Sequence, residues 1–256
     1  MPKRSQNNRF EVARVLERAI LTGQFRPGDH LPEMRIAQEL GVSQASVREA
    51  LQDLEGLGLV LKYPNRGSVV TQLSGDDLAH IYQIRRELEP LACGLAATHV
   101  TPDGLAELHR CVAAMGAAGE AADFGAFSEA DVRFHRLLWR SQPNRFLEKS
   151  LLAVCLPLFA FDLIRRHATP HVDFAHTVRQ HQLIVNTVRL RDPERAARLM
   201  RRMVGRWLRQ DMADYAFLQE NEASAPLPDK PSLAFLRRPF DSTHILPIKS
   251  TPASFR

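Results

Sequence analysis

Cysteine is scarce in this chain, and long apolar segments are missing. Its 256 residues include only Cys93, Cys111 and Cys155, which are widely spaced and form no Cys-x-x-Cys pair. This pattern argues against a disulfide or zinc framework and is typical of buried thiols in a reducing cytoplasm. The longest apolar run, residues 151–161, has eleven residues and contains Pro157, so it is too short to span a bilayer.

The N-terminus also lacks the apolar core of a signal peptide, so we expect a cytoplasmic protein with no membrane partner. The formal net charge of +5 and the pI near 9.4 weakly favour a polyanionic partner. This charge is not concentrated at one end, because residues 1–73 hold ten Lys or Arg against eight Asp or Glu. Charge therefore supports nucleic-acid binding without demonstrating it.

Residues 28–70 carry the strongest motif, a winged helix-turn-helix pattern. Pro32 can open a short helix with one apolar face, and Gly41 can end it as a left-handed cap. Ser43 can then cap a second helix through its hydroxyl. Two short apolar segments joined by a Pro-Asn-Arg-Gly turn follow, and we interpret them as the strands of a wing. A helical hairpin with a surface turn is the alternative, but the order of elements favours a DNA-binding domain.

The expected DNA contacts are the early residues of the second helix and the tip of the wing. In helix-turn-helix proteins these helix residues meet base edges, while the capped end and nearby cations meet phosphates. A wing tip can touch the minor groove or the backbone. The candidates are Arg35, Ser43, Gln44, Ser46, Arg48, Arg66 and Gly67.

Residues 74–220 show almost no strand pattern and many helix starts. Ser74 can cap a long helix, and Thr101-Pro102 and Asp192-Pro193 each place a polar cap before a proline. We expect an all-α bundle of about six helices here. Its other helical patterns lie at roughly 123–141, 144–167 and 174–190.

The predicted fold class is mainly α, in three parts. Residues 1–73 form the winged helix-turn-helix with a small β-hairpin, and residues 74–220 form the bundle. After about residue 221 the composition shifts to Pro, Ser, Ala and Lys without a sustained period, which predicts a flexible tail through residue 256. The apolar clusters 233–236 and 245–248 could dock on a neighbour.

Four segments carry a family resemblance. They are Arg26-Pro27-Gly28-Asp29, Gly41 to Leu51, Leu54 to Val60, and Arg66-Gly67. Through them the chain resembles the GntR superfamily of bacterial transcription regulators, in the FadR-like branch with a C-terminal FCD ligand-sensing domain. The resemblance implies a homodimeric, non-enzymatic DNA-binding regulator, a repressor released from its double-stranded operator by a small organic acid.

The recognition helix departs from this family. Relatives usually have Arg-Thr-Pro after Gly-Val-Ser, and this chain has Gln44-Ala45-Ser46. An arginine that often reads guanine is thus replaced by an amide, which pairs naturally with the N6/N7 edge of adenine. Our hypothesis is that the base preference at this step shifts away from guanine.

Asp131 and His135 are four residues apart, so they project from one face of a helix. By themselves they indicate either an ion pair or two metal ligands. Their segment matches the D-x-x-F-H-x-x-L motif of metal-binding FCD domains, and His181 lies in a segment similar to E-H-x-x-I, with Gln180 replacing Glu. The resemblance therefore implies a site of one carboxylate and two imidazoles, suited to Zn, Ni, Mn or Fe(II).

Met203 occupies the position of the family's fourth ligand, a histidine. A thioether is a poor ligand for Zn or Mn, so the site either binds metal through three protein ligands and a bound acid or has become metal-free. We favour the first. His171 and His176 are candidate substitutes for the missing ligand.

The candidate effector contacts are Arg85, Arg86 and Met203. An arginine can hold a carboxylate through two parallel hydrogen bonds. The alternative for the arginines is a helix-surface ion pair with Glu89. A basic face on the final helix is interpreted as solvated, and it comprises Arg195, Arg198, Arg201, Arg202, Arg206 and Arg209.

Two other functions stay open at this point. A metal-dependent enzyme could use Asp131, His135 and His181 as a triad, but it leaves the first 70 residues without a purpose. A DNA-binding protein with an inert, metal-free bundle would be consistent with Met203.

Overall fold

The computed structural model describes residues 3–64, 67–168, 173–222 and 233–237. Within these residues the chain forms nine α-helices, three short strands and one 3-10 helix, which confirms the mainly α fold class. None of the described helices is long and apolar enough to cross a membrane.

The N-terminal module is a winged helix-turn-helix. Gly41 ends the second helix with a φ of 64°, and the Ser43 hydroxyl accepts a hydrogen bond from the Ser46 backbone N–H at 3.1 Å, as the turn pattern predicts. Its elements are α1 (Lys3–Leu21), β1 (His30–Leu31), α2 (Glu33–Leu40), α3 (Gln44–Gly56), β2 (Val60–Tyr63) and β3 (Gly67–Val70).

The wing consists of β2 and β3. It belongs to a three-stranded antiparallel sheet with the order β1-β3-β2, in which β3 is the central strand. The hairpin register places Leu61 opposite Val69, and β1 adds His30 on the other side of Val69. The sequence analysis did not anticipate β1, because two residues carry no alternating pattern. This strand anchors the wing to the segment that precedes α2.

Six helices follow, as the caps and periodicity predict. Ser74 forms a capping box with Asp77, and Thr101 and Asp123 cap the next two helices through their side chains. The helices are α4 (Gly75–His99), α5 (Pro102–Glu120), α6 (Phe124–Arg140), α7 (Arg145–Ala168), α8 (Phe174–Arg189) and α9 (Pro193–Glu222).

Two apolar cores hold these elements together. One lies inside the bundle and contains Phe134 and Met203. The other crosses between the modules, because it combines Leu16 and Leu54 of the N-terminal module with Trp139 of α6 and residues of α7. The winged module is therefore packed against the bundle.

The 3-10 helix Leu233–Arg237 also belongs to the shared core. Leu233 and Leu236 are buried, and the Phe235 ring lies edge-on to Phe25 with centroids 5.2 Å apart. The expectation of a tail without a packed core is wrong for these five residues, because their apolar side chains cover the N-terminal module. Residues 223–232 and 238–256, including the cluster 245–248, lie outside the described residues.

Candidate metal centre and nucleic-acid interface

Three side chains converge at one point inside the bundle. Asp131 and His135 come from α6 and His181 comes from α8, and all three are buried. The Asp131 Oδ1 atom lies 3.0 Å from His181 Nε2 and 3.5 Å from His135 Nε2, and the two Nε2 atoms are 3.3 Å apart. Ligand atoms bound about 2.0–2.2 Å from one metal ion are separated by about 3.0–3.5 Å, so this spacing fits a metal centre.

The two imidazoles are suited to ligation. His181 Nδ1 lies 2.8 Å from the Thr177 carbonyl, which favours a proton on Nδ1 and leaves the Nε2 lone pair facing the cluster. Burial lowers the pKa of His135 to about 4, although nearby Asp131 acts in the opposite direction. His135 is therefore neutral near pH 7, as a metal ligand must be. Aromatic rings hold its plane, with the Phe159 centroid 5.2 Å and the Trp139 centroid 5.5 Å away.

The cluster forms part of the wall of a cavity of about 270 Å³. Arg85 lines this cavity and is nearly sandwiched by aromatic rings, with its guanidinium carbon 4.6 Å from the Tyr82 centroid and 5.4 Å from the Trp207 centroid. Arg85 Nε donates a 2.5 Å hydrogen bond to Glu89. The predicted ion pair with Glu89 is therefore present for Arg85, but both partners are buried, so its expected place on the helix surface is wrong.

The lining of the cavity is also rich in carboxylates. Four aspartates besides Asp131 line it, together with the cations Arg85 and Arg206. The Tyr82 hydroxyl donates a hydrogen bond to Asp211. The aspartates are Asp162, Asp173, Asp211 and Asp214.

Two predicted effector contacts do not reach this cavity. Met203 is buried in the apolar core of the bundle, and Arg86 is exposed to solvent. The helical periodicity of α9 instead brings Trp207 to the cavity, where its Nε1 donates to Gln180 at 2.8 Å. The sequence analysis missed Trp207 because the family motif has its ligand one turn earlier, at the position of Met203.

The candidate substitute ligands do not complete the cluster. His176 lines the cavity and lies 2.7 Å from the Gln180 amide, outside the group of three ligand atoms. His171 lies outside the described residues. The three cysteines do not contribute, because each is buried outside the group of three ligand atoms. Burial also raises the pKa of Cys93 to about 12 and that of Cys111 to about 11, and the pKa of Cys155 shifts in the same direction.

Five of the seven predicted DNA contacts are exposed to solvent. Ser46 is buried, and its hydroxyl pairs with that of Ser43 at 2.9 Å, so the prediction that Ser46 faces DNA is wrong. Helical spacing had placed it beside the outer face, but the cap turns it inward. Arg66 lies outside the described residues. The exposed candidates are Arg35, Ser43, Gln44, Arg48 and Gly67.

The carboxylate of Glu33 lies beside two of these residues. Glu33 Oε2 accepts hydrogen bonds from Gln44 Nε2 at 3.1 Å and from Arg48 Nε at 3.2 Å. The sequence offers no local signal for this contact, because Glu33 lies on a different helix from its partners.

Helix α6 connects the candidate metal centre to the winged module. Along the same helix, Ser128 Oγ donates to the Leu21 carbonyl at 2.9 Å, and Glu129 pairs with Arg18. Arg136, next to His135, forms a 2.7 Å ion pair with Glu17, and both side chains are buried. These contacts all reach the C-terminal half of α1.

The fold and these sites define a class of protein: a DNA-binding transcription regulator in which a winged helix-turn-helix is joined to an all-α bundle. Residues 9–70 match the model of bacterial regulatory proteins, gntR family, and residues 80–206 match the FCD domain. The chain belongs to the GntR family of bacterial transcription regulators and carries an FCD domain, which confirms the resemblance.

Individual relatives are transcription regulators, not enzymes. A probable D-xylose utilization operon transcriptional repressor of Paenarthrobacter nicotinovorans is 31% identical over 189 residues, covering 74% of this chain and 82% of that protein. The HTH-type transcriptional repressor NanR of Salmonella newport is 28% identical over 212 residues, covering 74% and 79%. The structure of E. coli McbR/YncC shares the fold, with a TM-score of 0.71, 22% identity and coverage of 84% of this chain and 99% of that chain.

Proposed function

We propose that the chain is a repressor released from its operator by a small organic acid, which binds in the bundle cavity beside a divalent transition metal. The convergence of Asp131, His135 and His181 on the wall of that cavity carries the proposal. Zn, Ni, Mn or Fe(II) suits this donor set, and the metal would supply a Lewis acid that accepts an effector carboxylate. Three protein ligands leave a position open for that carboxylate.

The charged residues that line the cavity indicate which functional groups the effector carries. Arg85 and the metal would attract a carboxylate, whereas the four further aspartates that line the cavity disfavour a second one. Carboxylates accept hydrogen bonds from hydroxyl and ammonium groups. These features support a small acid that also carries hydroxyl or amino groups, and they disfavour simple dicarboxylates.

Helix α6 is the proposed route of the signal. Asp131 and His135 face the cavity, while Ser128, Glu129 and Arg136 hold α1 of the winged module. A small displacement of α6 would thus be passed to the DNA-binding module through buried contacts. Allosteric coupling typically changes affinity by about 1–3 kcal/mol, which is enough to release a repressor.

A homodimer on a two-fold operator is part of the proposal, with residues 1–73 reading DNA and residues 74–220 sensing and dimerising. The proposed DNA contacts are the exposed set given above. Two exposed apolar side chains on α4 support this assembly, because Ile84 and Leu91 are 45% and 50% exposed. Sedimentation of the full chain measures its oligomeric state.

Elemental analysis of untagged protein purified without chelator tests the metal centre. We expect close to one metal ion per chain in the native protein and in His176→Ala, which alters the cavity wall alone. His135→Ala is expected to lose the metal, because two ligands bind far more weakly than three. Circular dichroism checks that each variant is folded.

Effector release is then measured on operator DNA selected from a random library. Hydroxy acids and amino acids are expected to weaken binding by about 5- to 150-fold, and His135→Ala should respond less. A native protein without metal, or an operator affinity that no small acid changes, would overturn the sensor part of the proposal. An absence of sequence-selective DNA binding would overturn the regulator itself.

A further inference from the structure

Glu33 lies at the start of α2, against the exposed N-terminal end of α3. Its Oε2 atom accepts hydrogen bonds from Gln44 Nε2 at 3.1 Å and from Arg48 Nε and Nη2 at 3.2 and 3.0 Å. The Glu33 side chain is 22% exposed and that of Arg48 is 52% exposed. The carboxylate is therefore more covered than the guanidinium that it holds.

A carboxylate in this surface is costly if its only effect is electrostatic. The affinity for DNA comes largely from positive charges that neutralise phosphates. Glu33 offsets much of the positive charge of Arg48 and so lowers this electrostatic contribution. Its contribution must therefore come from the orientation of its partners. Gln44 is the partner whose orientation changes its chemistry, because its two ends are a donor and an acceptor.

The contact with Glu33 fixes which end of the Gln44 amide is which. The amide nitrogen faces the carboxylate, since the amide oxygen would be repelled from it. One of the two N–H groups is thereby used. The side chain, which is exposed, keeps one N–H donor and the Oε1 acceptor for a base.

This pair of groups distinguishes the two purines. Adenine presents the N7 acceptor and the N6 donor in the major groove, which match one N–H and one oxygen. Guanine presents two acceptors, N7 and O6. An amide with both N–H groups free could donate to both of them, but an amide held by Glu33 would oppose its oxygen to O6.

We propose that Glu33 is a specificity-determining residue that positions the Gln44 amide to accept adenine and reject guanine. Glu33 acts through Gln44, so it is a positioning residue that needs no DNA contact of its own. This inference rests on the proposed sequence-specific DNA binding, with Gln44 facing a base.

Selection from a random duplex library with the full chain tests the inference. The native protein should recover adenine at one position of each half-site, and Gln44→Ala should lose the preference there. Glu33→Ala should recover adenine and guanine together, with the ratio of adenine to guanine falling by about tenfold. Glu33→Gln removes the charge with little change in volume, and its ratio should shift in the same direction.

Glu55→Ala is the matched control, because Glu55 is an exposed acid of the same module at the far end of α3. It should keep the native ratio. Circular dichroism and melting curves confirm that the variants are folded. Comparing Glu33→Ala with Glu55→Ala separates positioning from a general gain in affinity on losing one negative charge.

The outcomes separate the inference from the function beneath it. A native protein that enriches no sequence would overturn the proposed DNA-binding function. A native protein that selects adenine, together with an unchanged ratio in Glu33→Ala, would overturn the role of Glu33 alone. Selection of guanine by the native protein at the Gln44 position would also overturn it.

Discussion

Gly58 lies at a close contact between the winged module and the bundle. It follows α3 with a φ of +72°, a conformation that favours glycine. A Cβ atom built there would lie 3.0 Å from the Ala153 carbonyl oxygen and 3.1 Å from Pro157 Cγ, both on α7. The turn after the recognition helix is thus in close contact with the bundle, and a larger residue cannot be accommodated without a shift.

We therefore expect Gly58→Ala to lower the free energy of unfolding by about 2–4 kcal/mol, from left-handed strain together with overpacking. Gly56→Ala is the control, because Gly56 ends α3 and a Cβ there meets nothing within 4 Å. Alanine should instead stabilise that helical position by up to about 1 kcal/mol. Urea unfolding measures both values, and equal values for the two variants would contradict the close contact.

At the scale of elements, α6 carries both two residues of the candidate site and the residues that contact α1. Glu17 and Arg136 form its most buried ion pair with α1, and their side chains are 3% and 7% exposed. Removing one member of a buried pair leaves an uncompensated charge, whereas removing both leaves an apolar contact. The double variant therefore removes the charged contact between α1 and α6 while keeping most of the free energy of unfolding.

We expect Arg136→Met to cost about 3–5 kcal/mol and the double variant Glu17→Met with Arg136→Met to recover most of that loss. Arg133→Met should cost about 1 kcal/mol or less, because Arg133 lies on the same helix but pairs with Glu107 of the bundle and is 29% exposed. Denaturant unfolding of the native chain, Glu17→Met, Arg136→Met and the double variant gives the cycle, with Arg133→Met as the control. A double variant as unstable as Arg136→Met would refute a simple pairing.

The same variants test the route of the signal. Metal added to chelator-treated protein should slow amide hydrogen exchange in α1 of the native chain and of Arg133→Met. The double variant should bind metal normally but show a smaller change in α1, because its charged connection to α6 is missing. An unchanged response in the double variant would place the route elsewhere.

Sequence predicts these elements well where the signals are local. The caps at Ser74, Thr101 and Asp192 predict the starts of α4, α5 and α9, and the helical periods predict both ends of α6, α7 and α8 to within about one residue. Asp131 and His135 share a helix face by spacing alone, but His181 joined them only through the family motif. The pattern could not reveal contacts between elements that are distant in the chain.

Three misses have this common cause. Ser46 was placed on the outer face by its helical position, yet it turns inward to Ser43. Trp207, one turn beyond Met203, reaches the cavity because of how α9 packs on its neighbours. The pair of Glu33 with Gln44 and Arg48 depends on the crossing of two helices. Each required the packed structure.

At the scale of the whole molecule, the chain returns to its own N-terminal module after the sensor bundle. The 3-10 helix Leu233–Arg237 buries Leu233 and Leu236 in the core that α1, α2 and the wing share with the bundle. Phe235 packs edge-on against Phe25, between α1 and β1. The winged module thus contacts both the bundle, through α6 and α7, and a segment that follows the bundle in the chain.

If this segment is part of the core, its removal should loosen the winged module more than the bundle. Leu236→Ala should lower the free energy of unfolding by about 2–3 kcal/mol, since a buried leucine loses both its transfer free energy and its packing.

A chain ended after residue 222 should lose at least as much free energy of unfolding. It should also show faster amide exchange in α2, with little change in α5. Leu183→Ala is the control, because Leu183 is 47% exposed and its truncation should change stability by no more than about 0.5 kcal/mol. Equal exchange in α2 of the native and shortened chains would mean that the segment covers the module without supporting it. Faster exchange in α2 would instead mean that the DNA-binding module relies on residues beyond both domains of the family.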